Sequence, residues 1–231
     1  MKTIHFFTPS NFDMECSDSK YKQFSFLDDL FGDIQKSQGK AFSLPDADII
    51  LHQSFFREDE SDQIFDNLYN NIAWVQEDTI LYGKKIALPR LTAWYGDKGK
   101  TYTYSKIKMT PQPWIAILEN IKSQVERVCS AKFNSVLLNL YRNGSDSISW
   151  HSDDEKELGE NPTIASLSFG DTRSFMLKHK FKKDLKLDIQ LTHGSLLIMG
   201  GKTQHYWQHQ IPKTRTSYKP RINLTFRKIL K

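Results

Sequence analysis

Pro220-Arg221-Ile222-Asn223-Leu224-Thr225-Phe226-Arg227 is the stretch from which the rest of the chain is read. Its alternation has period two, so in a strand Ile222, Leu224 and Phe226 share one face. Arg221, Asn223, Thr225 and Arg227 share the other. The apolar face marks a strand of the core. The opposite face carries two guanidinium groups with an amide and a hydroxyl between them. A solvated basic edge is the bland alternative, but the Asn and Thr beside a strongly apolar alternate face favour a niche for a small dianionic acid.

Working upstream, residues 135–142, 164–169, 174–178, 186–191 and 195–199 also read as short strands, and 221–228 is the last of them. Asn143-Gly144 is a strong turn signal. Two helices come before the strands. Residues 61–74 place Ile64, Phe65, Leu68 and Ile72 on one stripe behind a Ser61 cap. Residues 113–128 align Trp114, Ile117, Leu118, Ile121, Val125 and Val128, with Pro113 in the first turn. The expected fold is α+β, mainly β, a sandwich or jelly roll with helices packed on one face. Residues 1–45 read as a loosely ordered N-terminal extension, and 46–231 as one domain.

The bulk numbers exclude several classes. Apolar content is 39%, and no apolar run approaches a bilayer span. No secretory signal is visible. Cys16 and Cys129 are too few for a disulfide framework or a thiolate zinc site, which fits an intracellular protein. The net charge of +5 is uneven: residues 1–66 hold 6 Lys/Arg against 13 Asp/Glu, and residues 67–231 hold 26 against 14. From Lys213 to the end there are seven basic residues and no acid. A basic domain points to a polyanion, of which nucleic acid is the commonest.

His151-Ser152-Asp153 supplies an imidazole and a carboxylate two residues apart, so both can point inward from a strand. Two imidazoles and one carboxylate hold Fe(II) on one face and leave the other open. His193, His205 and His209 are the downstream candidates for the third ligand. His209, 12 residues before Arg221, ranks first, His205 second, and His193 before Gly194 looks like a turn residue. Alone, a His-x-Asp pair is weak, and a surface pair without metal is its commoner meaning. Asn139 and Tyr141 share a face of their strand, and a buried amide and phenol need partners. Arg221 can grip the far carboxylate of a five-carbon diacid. Asn139 and Asn223 can donate to its near carboxylate. Arg227 can pair with that carboxylate or with Asp153. Iron beside a dicarboxylate is the chemistry of an oxygenase.

His151-x-Asp153, His209 and Arg221-x-Asn223-x-x-x-Arg227, preceded by Asn139-x-Tyr141, resemble the pattern of the AlkB family of Fe(II)/2-oxoglutarate dioxygenases. Tyr95-Gly96-Asp97, residues 101–105 (TYTYS), residues 151–155 (HSDDE) and residues 164–170 (IASLSFG) are similar to the branch that repairs alkylated bases in double-stranded DNA. The likeness runs from about Asp46 to the C-terminus.

The resemblance implies a double-stranded β-helix. It assigns Fe(II) to His151, Asp153 and His209, and 2-oxoglutarate to Asn139, Tyr141, Arg221, Asn223 and Arg227, with O₂ as the second cosubstrate. It places Tyr102, Tyr104 and Ser105 at a base flipped from the duplex. It gives Glu155 the exocyclic amino group of adenine or cytosine. Tyr82 stands where that branch carries an apolar finger that fills the gap in the stack. Arg90 is expected to help hold the opened duplex, and Arg173, Lys178, Lys180, Lys182, Lys183 and Lys186 to track phosphates. Trp74, Trp94 and Trp150 are expected in the core.

The implied reaction is removal of N-methyl groups from 1-methyladenine and 3-methylcytosine in DNA, by a monomer working in a nucleus or a bacterial cytoplasm. Residues 2–9 resemble the short peptides that dock on sliding clamps, though only His5 separates Ile4 from Phe6-Phe7. The rival readings are a demethylase of RNA or single-stranded DNA, a protein hydroxylase, and a metal-binding jelly roll that binds nucleic acid without oxidising it.

Overall fold

The computed structural model describes residues 38–81, 83–100, 102–104 and 107–230, with 102–104 and 107–109 described as backbone only. The clamp-like segment, Tyr82 and Ser105 lie outside these residues.

Fifteen strands are described, in chain order β1 Lys40–Phe42, β2 Asp48–His52, β3 Asp78–Leu81, β4 Lys84–Ala87, β5 Leu91–Gly96, β6 Tyr102–Tyr104, β7 Ile107–Met109, β8 Ser135–Tyr141, β9 Ile148–His151, β10 Ile164–Gly170, β11 Arg173–His179, β12 Lys186–Leu191, β13 Ser195–Gly200, β14 Trp207–Ile211 and β15 Arg221–Arg227. Seven of them form one sheet in the order β1-β2-β13-β10-β15-β8-β5, and four form a second, β12-β11-β14-β9. All pairs in both sheets are antiparallel. Non-consecutive neighbours in both sheets are the crossovers of a jelly roll. Two hairpins, β3-β4 and β6-β7, stand apart as two-stranded ribbons. Lys40–Phe42, which the sequence reading assigned to the extension, is an edge strand on β2.

The core lies between the two sheets. Trp94, Tyr141, Leu197 and Met199 from the larger sheet cluster with Phe175, Leu177, Ile189, Leu191, Trp207 and Ile211 from the smaller. Alternation sends Ile222, Leu224 and Phe226 of β15 to the other side of the larger sheet, where all are fully buried. A helix, α1 Glu58–Asn71, packs against β10 and β15. It starts before the expected Ser61. Arg57 is the N-cap, its N–H bonded to the Glu60 carboxylate at 3.1 Å, and Ser61 is buried inside the first turn. Three acids in that turn, Glu58, Asp59 and Glu60, complement the helix dipole. The second helix, α2 Ala116–Cys129, buries Ile117, Leu118, Ile121 and Val125 as its periodicity predicts.

The loop after β8 is held by charge. Asp146 accepts bonds from the Arg142 backbone N–H at 2.9 Å and from both arms of its guanidinium at 2.8 and 2.9 Å. A Cβ on Gly144 would collide with the carbonyls of Thr214 and Ser217, so only glycine lets the 212–217 loop pass. Arg173 corrects an expectation. It is 2% exposed and donates to the carbonyls of Asn143, Asp146 and Pro212, at 3.3, 2.9 and 2.6 Å, so it pins two loops together and meets no phosphate.

Candidate metal and cosubstrate site

Register builds the site. His209 pairs with His151 across β14 and β9. Across β15 and β8, Arg221 pairs with Tyr141 and Asn223 with Asn139. All of these side chains, with Asp153 and Arg227, line one pocket between the sheets.

Ligand atoms of His151, Asp153 and His209 lie within 4.8 Å of one another, a set that can hold a metal ion. The imidazole rings of His151 and His209 have centroids 4.2 Å apart. His151 Nδ1 lies 2.8 Å from the Ser149 carbonyl, which only accepts, so Nδ1 carries the proton and Nε2 keeps its lone pair for a metal. Phe175 stacks on His209 at 5.0 Å and fixes that ring. Asp153 sits at the end of a short connection held by two bonds, Ser152 Oγ to the Trp207 carbonyl and Asp153 N–H to Gln204 Oε1. Arg227 donates to Asp153 Oδ1 at 2.7 Å, while Oδ2 is 4.0 Å from His209 Nε2.

The electrostatics suit a divalent cation. Burial opposes charge on Asp153, but Arg227 and the two histidines outweigh it and hold the carboxyl down at about 2. Burial, then His151, pushes His209 down to about 3. At neutral pH Asp153 is thus a carboxylate and His209 a neutral imidazole, and with His151 they make the donor set of ferrous iron with an open face. His205 lies elsewhere, accepting the Asn161 N–H at 3.3 Å. His193 is in a turn, as its Gly194 neighbour implied.

Arg221 is 1% exposed, and burial pushes its guanidinium down to about 10. Its Nη2 donates to Ser168 Oγ at 2.9 Å, yet Nε and Nη1 are buried without a hydrogen-bond partner among the described residues. Tyr141 lies beneath it, ring centroid 5.2 Å from the guanidinium carbon. A buried cation with two nitrogens that lack an acceptor among the described residues is a fit for a carboxylate. Asn223 differs from its expected role. Its amide donates to Ser166 Oγ and the Leu167 carbonyl, at 2.9 and 3.0 Å, and its oxygen accepts from Thr225 at 3.0 Å. Arg90, expected to help hold an opened duplex, has its side chain inside the protein. It is 3% exposed, and its Nε donates to Asn139 Oδ1 at 2.8 Å.

At the rim, Glu155 Oε2 is buried with no partner among the described residues. Of the expected phosphate trackers, Lys178 lies over the Trp150 ring at 4.3 Å, Lys180 bonds Asp154 and the Gln204 carbonyl, and Lys182 bonds Asp46. Trp94 is in the core as expected; Trp150 is not, and half-faces solvent beneath Lys178. Among the described residues no helix is long and apolar enough to cross a membrane.

The comparisons agree with this geometry. The model of the 2OG-Fe(II) oxygenase superfamily matches residues 48–227. The human alpha-ketoglutarate-dependent dioxygenase alkB homolog 3 is 44% identical over 190 residues, covering 78% of this chain and 66% of that protein. The bovine protein of the same name is 45% identical with the same coverage. The chain thus spans just under two thirds of the length of these relatives. DNA oxidative demethylase ALKBH2 of Mus musculus is 40% identical over 185 residues, covering 76% of this chain and 77% of that protein. The solved structure of OsALKBH1 aligns with a TM-score of 0.58 at 17% identity, covering 82% of this chain and 100% of that one, a likeness of fold. The matched span takes in every ligand and pocket residue described above, and the chain belongs to the AlkB family of the 2OG-Fe(II) oxygenase superfamily.

Proposed function

We propose that this protein removes N-linked methyl groups from damaged bases in DNA, 1-methyladenine and 3-methylcytosine among them, with Fe(II), 2-oxoglutarate and O₂. The observation that carries the proposal is the meeting, in one pocket, of the His151-Asp153-His209 donor set with the partly unpaired Arg221 guanidinium. The relatives named dioxygenase and DNA oxidative demethylase support the same reading. When bound, iron and 2-oxoglutarate supply an oxidation that yields succinate and CO₂ and hydroxylates the methyl group, which then leaves as formaldehyde.

The chain's own contribution is placement. His151, Asp153 and His209 hold the metal, and Arg227 holds Asp153. Arg221 and Tyr141 take the far carboxylate of 2-oxoglutarate, and Asn139 the near one. Asn223, its amide hydrogens occupied, shapes the niche instead of donating into it. Tyr102, Tyr104 and Ser105 meet the flipped base. Glu155, whose Oε2 is buried with no partner among the described residues, accepts from its exocyclic amino group. Tyr82, next to Leu81 in sequence, fills the vacated stack. Such an enzyme works inside the cell, in a nucleus or a bacterial cytoplasm, and residues 2–9 are a candidate clamp ligand.

One observation favours a second reading, action on single strands. The β11-β12 connection is a short turn closed by His179 N–H to the Leu185 carbonyl, and Lys180 and Lys182 there are already bound to Asp154 and Asp46. Little of that turn is left to grip a second strand. Formaldehyde release from methylated duplex and methylated single-stranded oligonucleotides separates the readings. Release from neither, with iron and 2-oxoglutarate supplied, rejects both.

A further inference from the structure

We propose that Arg90 is a positioning residue for the cosubstrate: it locks the Asn139 amide in the orientation that turns its NH₂ toward the pocket. The inference rests on the functional reading above, because it presumes that an acceptor binds beside Asn139.

Arg90 immediately precedes β5, which pairs with β8, and the Arg90 side chain reaches back under the sheet. Both Arg90 and Asn139 are 3% exposed. Their contact is Arg90 Nε to Asn139 Oδ1 at 2.8 Å, and a second arm reaches the Ser147 carbonyl at 3.4 Å. The two ends of an amide are hard to tell apart by shape. Here chemistry decides, because a guanidinium only donates. The amide atom facing Arg90 is therefore the oxygen, and Nδ2 with its two hydrogens is on the other side. Nδ2 donates to none of the described residues, and Asn139 lines the pocket with the metal ligands.

The register partner Asn223 is the internal contrast. Both of its amide hydrogens are occupied, by Ser166 and Leu167, and its oxygen accepts from Thr225. Of the two asparagines facing each other across β8 and β15, only Asn139 has N–H groups to offer a carboxylate. Without Arg90 the Asn139 amide is free to reverse. A reversed amide would present its oxygen to a bound carboxylate, replacing attraction by repulsion.

The test is equilibrium binding of 2-oxoglutarate to the full chain loaded with Mn(II), a stand-in that does not turn over. Arg90→Met is expected to weaken binding by roughly tenfold or more, the worth of a charge-assisted hydrogen bond. Arg90→Lys keeps a pure donor and is expected to restore most of the affinity. Mn(II) affinity without 2-oxoglutarate stays unchanged in both. Arg90→Met combined with Asn139→Leu is expected to bind no more weakly than Asn139→Leu alone. If Arg90→Met does not fold, Arg90→Gln replaces it, since a Gln amide can accept from Asn139 and let it reverse, with the same expected loss. Unchanged 2-oxoglutarate affinity in the folded variant overturns the role of Arg90, as does additivity with Asn139→Leu. A wild-type protein that does not bind 2-oxoglutarate would instead sink the functional reading itself.

Discussion

The pocket between the sheets and the β3-β4 hairpin are built on opposite principles. The pocket concentrates charge where water is scarce: Asp153, His209, Arg221 and Arg227 are all under 9% exposed, and each is aimed by a strand register or a neighbour's hydrogen bond. The hairpin is a two-stranded ribbon that leaves Ile80 78% exposed and Ile86 44% exposed, beside Lys84 and Lys85. Isolated ribbons are marginal in water, so the hairpin depends on the body it grows from. Chemistry needs fixed geometry, and under the proposed function contact with a large partner falls to the apolar, basic hairpin. Substitutions in the two regions should therefore separate stability from recognition.

The largest effect is expected at Asp153. Asp153→Ala removes a ligand and leaves Arg227 buried without its carboxylate, so metal binding and turnover should both be lost. Stability of the metal-free protein should fall by about 3–5 kcal/mol, as when one partner of a buried pair is deleted. Denaturant unfolding measures it. Asp153→Leu with Arg227→Met should recover much of the stability and none of the metal binding. No recovery of stability would mean that Arg227 is held by something other than its charge partner.

Arg221 should behave in the reverse sense. Its Nε and Nη1 are buried with no hydrogen-bond partner among the described residues, which carries a desolvation cost. Arg221→Met should weaken 2-oxoglutarate binding about a hundredfold or more, yet leave the cosubstrate-free melting temperature unchanged or raised. A variant that loses stability along with binding would show that the guanidinium is a structural element first.

Legibility in the sequence followed the strength of alternation. β15 and β8 have a strictly apolar face and a polar one, and their ends fall within a residue of expectation. β9, β14 and β2 were not read as strands. β14 is Trp207-Gln208-His209-Gln210-Ile211, whose inward positions are an indole, an imidazole and one aliphatic, so hydropathy alone gives no clear period. That is why His209 could be ranked by its distance to Arg221 but not placed on a strand. The metal set and the arginine niche were legible because their residue types are few and their spacing is fixed. The burial of Arg90 and Arg173 was not legible. Nothing in the local sequence marks the partners of these buried arginines, the Asn139 amide and Ser147 carbonyl for Arg90 and three loop carbonyls for Arg173.

A smaller effect, confined to recognition, is expected at the hairpin. Ile80→Ser should leave folding stability within about 0.5 kcal/mol, as for an exposed position away from packed contacts. Tyr82→Ala should lower turnover of methylated duplex severalfold while sparing methylated single strands. Equal losses on both substrates would remove the wedge role and leave the hairpin as a general contact.

The smallest effect on the cosubstrate is expected from the loop between β8 and β9. Asp146 is buried; burial itself raises its pKa, but bonds from the Arg142 side chain and backbone outweigh that and hold the carboxyl below its usual range. A carboxyl whose folded value is depressed contributes stability above the ordinary value near 3.9, and the contribution fades as pH falls through the lower folded value. Asp146→Asn should thus be less stable than wild type by about 1–2 kcal/mol at neutral pH, and the gap should narrow in acid below about pH 4. Ser147, next in the loop, receives a bond from Arg90, so the same variant should also loosen 2-oxoglutarate binding slightly. A stability gap that stays constant down to pH 2 would show that Asp146 holds the loop by shape and neutral hydrogen bonds, and that its charge contributes nothing to placing the Arg90–Asn139 pair.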